Sequence, residues 1–560
     1  MNDQKDSNSK KELLYVVAKR AAIISAIFAA ILSILLIANF IQTQSVDPLN
    51  NPALTQLMQQ LRENPDDEAL KEQIRALDLL ARKAYFTNQW QIRTGGFILF
   101  ISVLVLLVSL KYMSSLQQQL PDFDKSENSW ENKLLARRYI IYGGIGIFVL
   151  AFVLGLVSRN EIGQPRAAQK VTYASLKELK DNWPTFRGPQ GIGHAYHTNV
   201  PTTWDVETGE NIKWTADVPR PGLNSPIIWE KKIFLAGADE ESQEVYCYNA
   251  DSGEMLWTTL LNDVPGTPEE APDVTEDTGF AAPTMATDGE RIFVIFATGD
   301  LACLDFDGNR VWAKNLGLPD NHYGHSSSLF TFEDKLLVQY DTNDEKHLYA
   351  FNSGTGEQVY ATPREDVQIS WASPVVVNTG SRHEIILNSN PFVISYDPAT
   401  GEELWRVNCM DAEVGPSVAY ADGWVYAVNE YAILAAIKLE GTPHIAWEYE
   451  DDLSEASSPV ATDDFLFLAS SYGTVTCFDA KSGEAFWTQE YDDGFYSSPI
   501  VAGENVFLMD RDGVVHVFKA SAEFESVADN ALGEKSDTIP AFMHGCIYIR
   551  GENSLFCIGN

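Results

Sequence analysis

Short alternating runs dominate the chain after residue 225, and one unit sets their form. Val245-Tyr-Cys-Tyr-Asn-Ala-Asp-Ser-Gly-Glu-Met-Leu-Trp257 alternates apolar and polar positions, breaks on a glycine turn, alternates again and ends on tryptophan. A period of two predicts half-buried strands. Asp251-Ser-Gly253 supplies a positive-φ glycine and a side-chain acceptor for a tight hairpin loop. The unit recurs at Leu301 to Trp312, Tyr349 to Tyr360, Ile394 to Trp405 and Thr476 to Trp487. A weaker copy spans Ala435 to Trp447, its turn rebuilt as Glu440-Gly-Thr-Pro443. Self-similarity at a period of about 40 residues marks a repeat architecture.

A second landmark, a small residue usually beside proline, opens an apolar strand ahead of each unit. It stands at Ser225-Pro226, Ala282-Pro283, Ser373-Pro374, Gly415-Pro416, Ser458-Pro459, Ser498-Pro499 and Ile539-Pro540, and Ser327-Ser328 makes eight. Tryptophan-type strand ends also reach eight, with Tyr360 as a substitute, a degenerate end near Val527, and Trp214 ahead of the first opening. The last opening, Pro540, runs out at Asn560 without such an end. The offset predicts that the strand around Trp214 completes the last unit and closes a ring. The fold class is therefore all-β, an eight-bladed β-propeller over residues 182–560.

The pattern differs ahead of the repeats. Residues 1–20 are polar and basic, whereas Ala21 to Ile41, Gly95 to Leu110 and Tyr139 to Val157 are apolar runs without a charge. Read by length and hydropathy, 21–41, 95–113 and 139–157 are transmembrane helices, an α-helical membrane-anchoring region before the propeller. Lys10, Lys11, Lys19 and Arg20, then Lys111, Lys125, Lys133, Arg137 and Arg138, keep residues 1–20 and loop 114–138 cytoplasmic under the positive-inside rule. Segment 42–94 is then an extracytoplasmic helical pair, with Leu54, Leu57, Met58 and Leu61 on one stripe and a break at Asn64-Pro65. Residues 158–181 are a linker. The expected location is the bacterial inner membrane, crossed by three spans, with the propeller on the periplasmic or extracytoplasmic side and the lipid bilayer as one partner.

Charge changes the picture of partners. After residue 170 there are 21 basic and 63 acidic residues, a net of about −42 within a whole-chain charge of −38. Phosphate binding draws on clustered Lys and Arg, so nucleic acid is excluded as a partner. The six cysteines offer no CxxC, CxxCH or adjacent pair. Cys247, Cys303, Cys477 and Cys557 share one repeat position with Ala350, Ser395, Ala436 and Val517, a slot for a small core residue. Cys546 and Cys557 face each other across the final hairpin, the one pairing that geometry allows.

Asn182-Trp-Pro-Thr-Phe-Arg-Gly-Pro189, the Ile212-Lys-Trp214 strand and the repeated Asp-x-x-Ser/Thr-Gly-Glu-x-x-Trp units resemble the quinoprotein-type (PQQ-like) β-propeller repeat proteins. That family includes PQQ-dependent dehydrogenases and non-catalytic scaffolds of the BamB-like kind. The three apolar runs resemble the layout of membrane-bound quinoprotein glucose dehydrogenases, which carry more spans.

Connections entering the innermost strands converge on one channel mouth in a propeller. Here they include Asn224, Phe280, Tyr323, His325, Trp371, Glu413, Glu455 and Tyr496. Trp371, Tyr323, His325 and Tyr496 are the candidate cofactor-binding residues, through stacking and, at His325, proton transfer. Glu413 and Glu455 are the candidate metal ligands, for a hard cation such as Ca²⁺. His322-Tyr-Gly-His325 lacks an adjacent third ligand for zinc, and Asp510-Arg-Asp-Gly513 lacks the distal glutamate of a calcium loop. No GxSxG, HExxH or P-loop occurs. No catalytic residue is assigned, and no cofactor is expected on the favoured reading. That reading is a membrane-anchored propeller that binds or scaffolds another envelope protein. The alternative is a PQQ- and calcium-dependent sugar or alcohol dehydrogenase.

Overall fold

The strands form because each alternating run can bury one face and finish its backbone pairing within a blade. The computed structural model describes residues 14–29, 31–32, 94–95, 97–99, 101–102, 104–106, 108–113, 115, 138 and 171–559 apart from 269 and 322. Contacts divide the chain into two units, Met1–Ala167 and Ala168–Asn560. Among the described residues the second unit holds eight sheets of the propeller type, each built on four antiparallel strands. The first runs Ile227–Trp229, Lys232–Ala238, Gln243–Asn249, Met255–Leu260, in that order across the sheet. We number the blades one to eight from this sheet. First strands of several neighbouring blades touch, as those of blades one and two, two and three, five and six, and eight and one do, so they line the central channel.

Ring closure follows the sequence offset. Ala541–Met543, Cys546–Arg550 and Ser554–Gly559 form three strands of blade eight, and Ile212–Asp217 supplies the fourth, with Trp214 opposite Cys557. Two strands from opposite ends of the propeller sequence thus remove the open edge. Arg550, fully buried, reinforces the seam by donating Nη1 to Ala236 O of blade one at 2.7 Å and Nη2 to Arg220 O at 3.1 Å.

Blades lock to one another through the tryptophan ends. Trp214 donates its indole N–H to Ala250 O at 3.1 Å in the next blade, and a Cβ on Gly253 would meet its ring at 2.6 Å. Trp257, Trp312, Trp447 and Trp487 repeat the donation at 3.0 to 3.1 Å, and the Tyr360 hydroxyl does so at 3.3 Å. The turn glycine is therefore needed twice, for φ +73° at Gly253 and for bare Cα surface under an indole. Trp405 departs from the rule because the turn it would meet is the rebuilt one, and it donates to Glu384 at 2.7 Å instead. The turn acceptor is Asn249, whose Oδ1 takes the N–H of Asp251 and Ser252 at 2.8 and 3.1 Å, while Asp251 pairs with Lys231 at 2.6 Å. Cys247, Cys303, Cys477 and Cys557 lie buried opposite a tryptophan, and all six cysteines are free thiols.

The membrane expectation is corrected. Among the described residues no helix is long and apolar enough to cross a membrane. The described helical positions 14–29 include Lys19 and Arg20. The three-span inner-membrane location is overturned on that finding, and among the described residues nothing supports the anchoring region or the bilayer as a partner. Residues 42–93, 139–157 and 158–170 lie outside the described residues.

Candidate functional site

The site begins with the strand openings. The residue two positions before each inner strand is Ser225, Thr284, Ser328, Ser373, Ser417, Ser458, Ser498 or Ile539. Each hydroxyl accepts the backbone N–H of the same position in the preceding blade: Ser225 N to Thr284, Thr284 N to Ser328, and so on to Ser458 N on Ser498, at 2.8 to 3.1 Å. Ile539 N closes the series on Ser225 Oγ at 2.9 Å. Only blade eight lacks a hydroxyl here. This belt satisfies backbone donors that the ring would otherwise bury unpaired.

One end of the channel is stoppered by the segment after the linker. Trp183 bridges Ile228 of blade one, and Thr287 N donates to Pro184 O at 2.9 Å in blade two. Thr185 Oγ1 donates to Leu329 O at 2.7 Å. Arg187, fully buried, donates Nη1 to Val418 O at 3.0 Å and Nη2 to Pro459 O, tying blades five and six. His194–Ala195 then pairs in parallel with Ile500–Ala502 of blade seven. Burial without a carboxylate partner pulls the Arg187 pKa down to about 9. Short helix Leu176–Lys180, capped by Ser175, precedes the stopper, and Ala174 N bonds Asp288 O at 2.7 Å in a hairpin turn of the far face.

Above this floor lies a cavity of about 540 Å³, with Phe186 at its base and belt residues on its walls. Trp371, Tyr323, Tyr496, Glu413 and Glu455 all line it. Tyr323 donates its hydroxyl to Glu413 at 2.7 Å and meets Trp371 edge-on at 5.0 Å. Trp371 donates its indole N–H to Gly324 O at 2.9 Å. Tyr496 donates to Glu455. The bond to Glu413, with some burial, pushes the Tyr323 hydroxyl up to about 12. His325 lies elsewhere. It is buried at 3% exposure, 5.0 Å from the Tyr340 ring, and desolvation lowers its pKa to about 4. His322 lies outside the described residues. Asn224 is a buried bridge from Ala236 to Ala281, and Phe280 packs in the core between blades one and two.

Several mouth residues come from loops that the sequence reading passed over. Glu430, Tyr431, Asp277 and Asp537 also line the cavity. Tyr472 donates to Glu430 from the neighbouring blade. Glu430, Tyr431, Tyr472 and Arg511 all sit between the second and third strands of their blades. Because each strand reverses direction, those loops open on the same face as the connections entering the inner strands. That rule, with tyrosines at Asn429-Glu-Tyr431 and Ser471-Tyr-Gly473, was the available signal. The long insertion before Pro283 reaches the mouth as well. Its Asp277 pairs with Arg511 of blade seven at 2.7 Å, and its Thr275 N bonds Tyr323 O at 3.3 Å.

The wall chemistry bears directly on PQQ, a quinone carrying three carboxylates. Asp277, Glu413, Glu430, Glu455 and Asp537 line the cavity, and among the described lining residues there is no Lys or Arg. Arg511 nearby is engaged by Asp537 at 3.1 Å as well as by Asp277. Among the described residues no group of three or more His, Cys, Asp and Glu side chains is gathered to hold a metal ion. Like charges would face an anionic quinone here, so these residues do not fit it. Accordingly, the purified chain supplied with PQQ and Ca²⁺ is expected to show no saturable dye reduction with glucose or simple alcohols. Turnover abolished by Glu413→Gln would contradict this.

A closed eight-bladed ring with tryptophan-docked repeats and an acidic, tyrosine-rich mouth defines a propeller of the PQQ-like repeat class. The family described as outer membrane protein assembly factor BamB matches at residues 197–322, 241–388, 389–450 and 441–523, and the chain belongs to that family. It is 21% identical over 288 residues to the outer membrane protein assembly factor BamB of Yersinia pestis, across 47% of this chain and 70% of that one. BamB from Moraxella catarrhalis superposes with a TM-score of 0.48 at 15% identity, covering 62% of this chain and 99% of that one. Quinohemoprotein alcohol dehydrogenase from Comamonas testosteroni superposes with a TM-score of 0.52 at 12% identity, covering 68% and 81%. That last likeness is one of fold.

Proposed function

We propose that this chain is a non-enzymatic binding module, a rigid ring whose open mouth docks another protein of the cell envelope. The observation that carries this is the cavity wall, where carboxylates and tyrosine hydroxyls stand and no described basic group is available for an anionic quinone. Its relative in Yersinia pestis bears the name of an outer membrane protein assembly factor, which favours an assembly partner over a small substrate. The stopper makes the two faces unequal, one closed by residues 182–195 and the other open.

A photo-crosslinking residue at Tyr431, 71% exposed at the mouth, is expected to capture an envelope protein in cells. The same residue at Tyr196 serves as the control. Tyr196 is beside His197, whose ring packs on His544 in the far-face hairpin turn of blade eight. Equal capture from both positions, or none from Tyr431, would refute a mouth-directed partner.

A further inference from the structure

We propose that the mouth captures an arginine side chain on an extended basic segment of the partner protein, held by Glu430 and Glu455 against the rings of Tyr431 and Tyr472. This rests on the reading of the mouth as a protein-binding site and adds the chemistry of what enters it.

The molecule already holds one guanidinium this way. Arg511 at the same mouth lies over the Tyr496 ring, 3.9 Å from its centroid, with Asp277 at 2.7 Å and Asp537 at 3.1 Å. Burial opposes its charge, and the two carboxylates outweigh that and raise its pKa. The adjoining wall repeats this set of carboxylates and tyrosine rings. Tyr472 donates to Glu430 from one blade to the next, and Tyr496 donates to Glu455 in the same manner. Each carboxylate is thereby aimed, with lone pairs left over for a second donor. Two large rings stand beside them in solvent, Tyr431 at 71% exposure and Tyr472 at 69%. The charge of Glu430, with smaller effects from Glu455 and Glu413, raises the Tyr431 pKa, which places these groups within one electrostatic neighbourhood.

Chemistry selects the occupant. The described carboxylates are spread along the wall and not gathered three to a point, which suits an organic cation better than a metal ion. A planar guanidinium can stack on tyrosine and donate to a carboxylate in bidentate fashion, whereas an ammonium is a point charge. The cavity of about 540 Å³ exceeds one side chain, so a polypeptide segment fits it better than free arginine. The acidic ring also steers basic segments towards it.

The test uses the full chain and a fluorescent Gly-Arg-Gly-Arg-Gly-Arg-Gly peptide, read by anisotropy at about 0.15 M ionic strength. Saturable binding is expected, weaker for the lysine analogue and for free arginine, and lost for the citrulline analogue, which keeps the shape without the charge. Glu430→Gln and Glu455→Gln are each expected to weaken binding about tenfold, as loss of one charge-assisted hydrogen bond implies. Tyr431→Ala is expected to weaken it about threefold. Asp463→Asn, in a far-face turn, should leave it unchanged, and unchanged melting of all variants verifies folding. Equal binding of the citrulline peptide, an equal effect of Asp463→Asn, or free arginine binding as tightly as the peptide would overturn the assignment. Capture from Tyr431 that persists in a Glu430→Gln, Glu455→Gln double variant would overturn it while leaving the binding module standing. Peptide binding with the expected losses but no capture from Tyr431 would support the arginine site and count against the envelope partner.

Discussion

A chain that begins at Pro221 is expected to aggregate and lose cooperative unfolding, whereas one that begins at Thr172 unfolds in a single transition. The shorter chain lacks the ladder between Ile212–Asp217 and Ser554–Gly559 and leaves the edge of blade eight unpaired. It also lacks the stopper, with Trp183 at 1% exposure and the Arg187 guanidinium. The closing strand can be weighed separately through Trp214→Ala. That change removes the indole from Gly253, its bond to Ala250 and its contact with Tyr548 at 6.0 Å. Its cost should be about 2–4 kcal/mol, slightly under the range for a fully buried aromatic, because Trp214 is only half-buried. Urea unfolding followed by circular dichroism measures both. Equal midpoints for the two chain lengths would mean that the ring closes without this strand.

Arg187→Met should have the next largest effect, a loss of about 2–3 kcal/mol. Two charge-assisted bonds to buried carbonyls, Val418 O and Pro459 O, disappear, each worth roughly 1.5–3 kcal/mol when made. Relief from burying an unpaired guanidinium offsets part of that. The sign stays unfavourable because methionine leaves both buried carbonyls without this donor. The loss should be local, so amide exchange should accelerate across residues 183–195 before it does so in the blades. Arg187→Lys should recover only part of the stability, since one ammonium replaces a fork that spans two blades. Wild-type protection of 183–195 in the methionine variant would show that the stopper is held by Trp183 and the backbone pairing alone.

The repeat itself was legible because its causes are local. Alternation, the turn glycine and the terminal tryptophan lie within a dozen or so residues of one another, as strand and hairpin chemistry requires. The offset of Trp214 and Pro540 carried ring closure, since one unpaired strand ahead of the repeats and three strands after them together make one four-stranded unit. The same local reasoning failed ahead of the repeats. An apolar run reports transfer energy, but crossing needs a continuous helix of sufficient length, and none occurs among the described residues.

The mouth was only half legible, and the division has a physical origin. Trp371, Tyr323, Tyr496, Glu413 and Glu455 were identified because connections entering the inner strands must share a face. Their partnerships were not, because each links blades about 40 residues or more apart, as Tyr472 does to Glu430 and Arg511 to Asp277. His325 stands in the same connection as Tyr323, yet its ring turns into the core beside Tyr340. Sequence alone determined the blades, their number and how the ring closes, because those follow from backbone pairing and nearest-neighbour burial. Only the tertiary structure turned the opening serines into a hydroxyl belt, Asn182 to Gly193 into a stopper and scattered carboxylates into an acidic mouth. Those features exist only once the ring brings its blades around a common axis, where side-chain direction and long-range contact, not local periodicity, decide which groups meet.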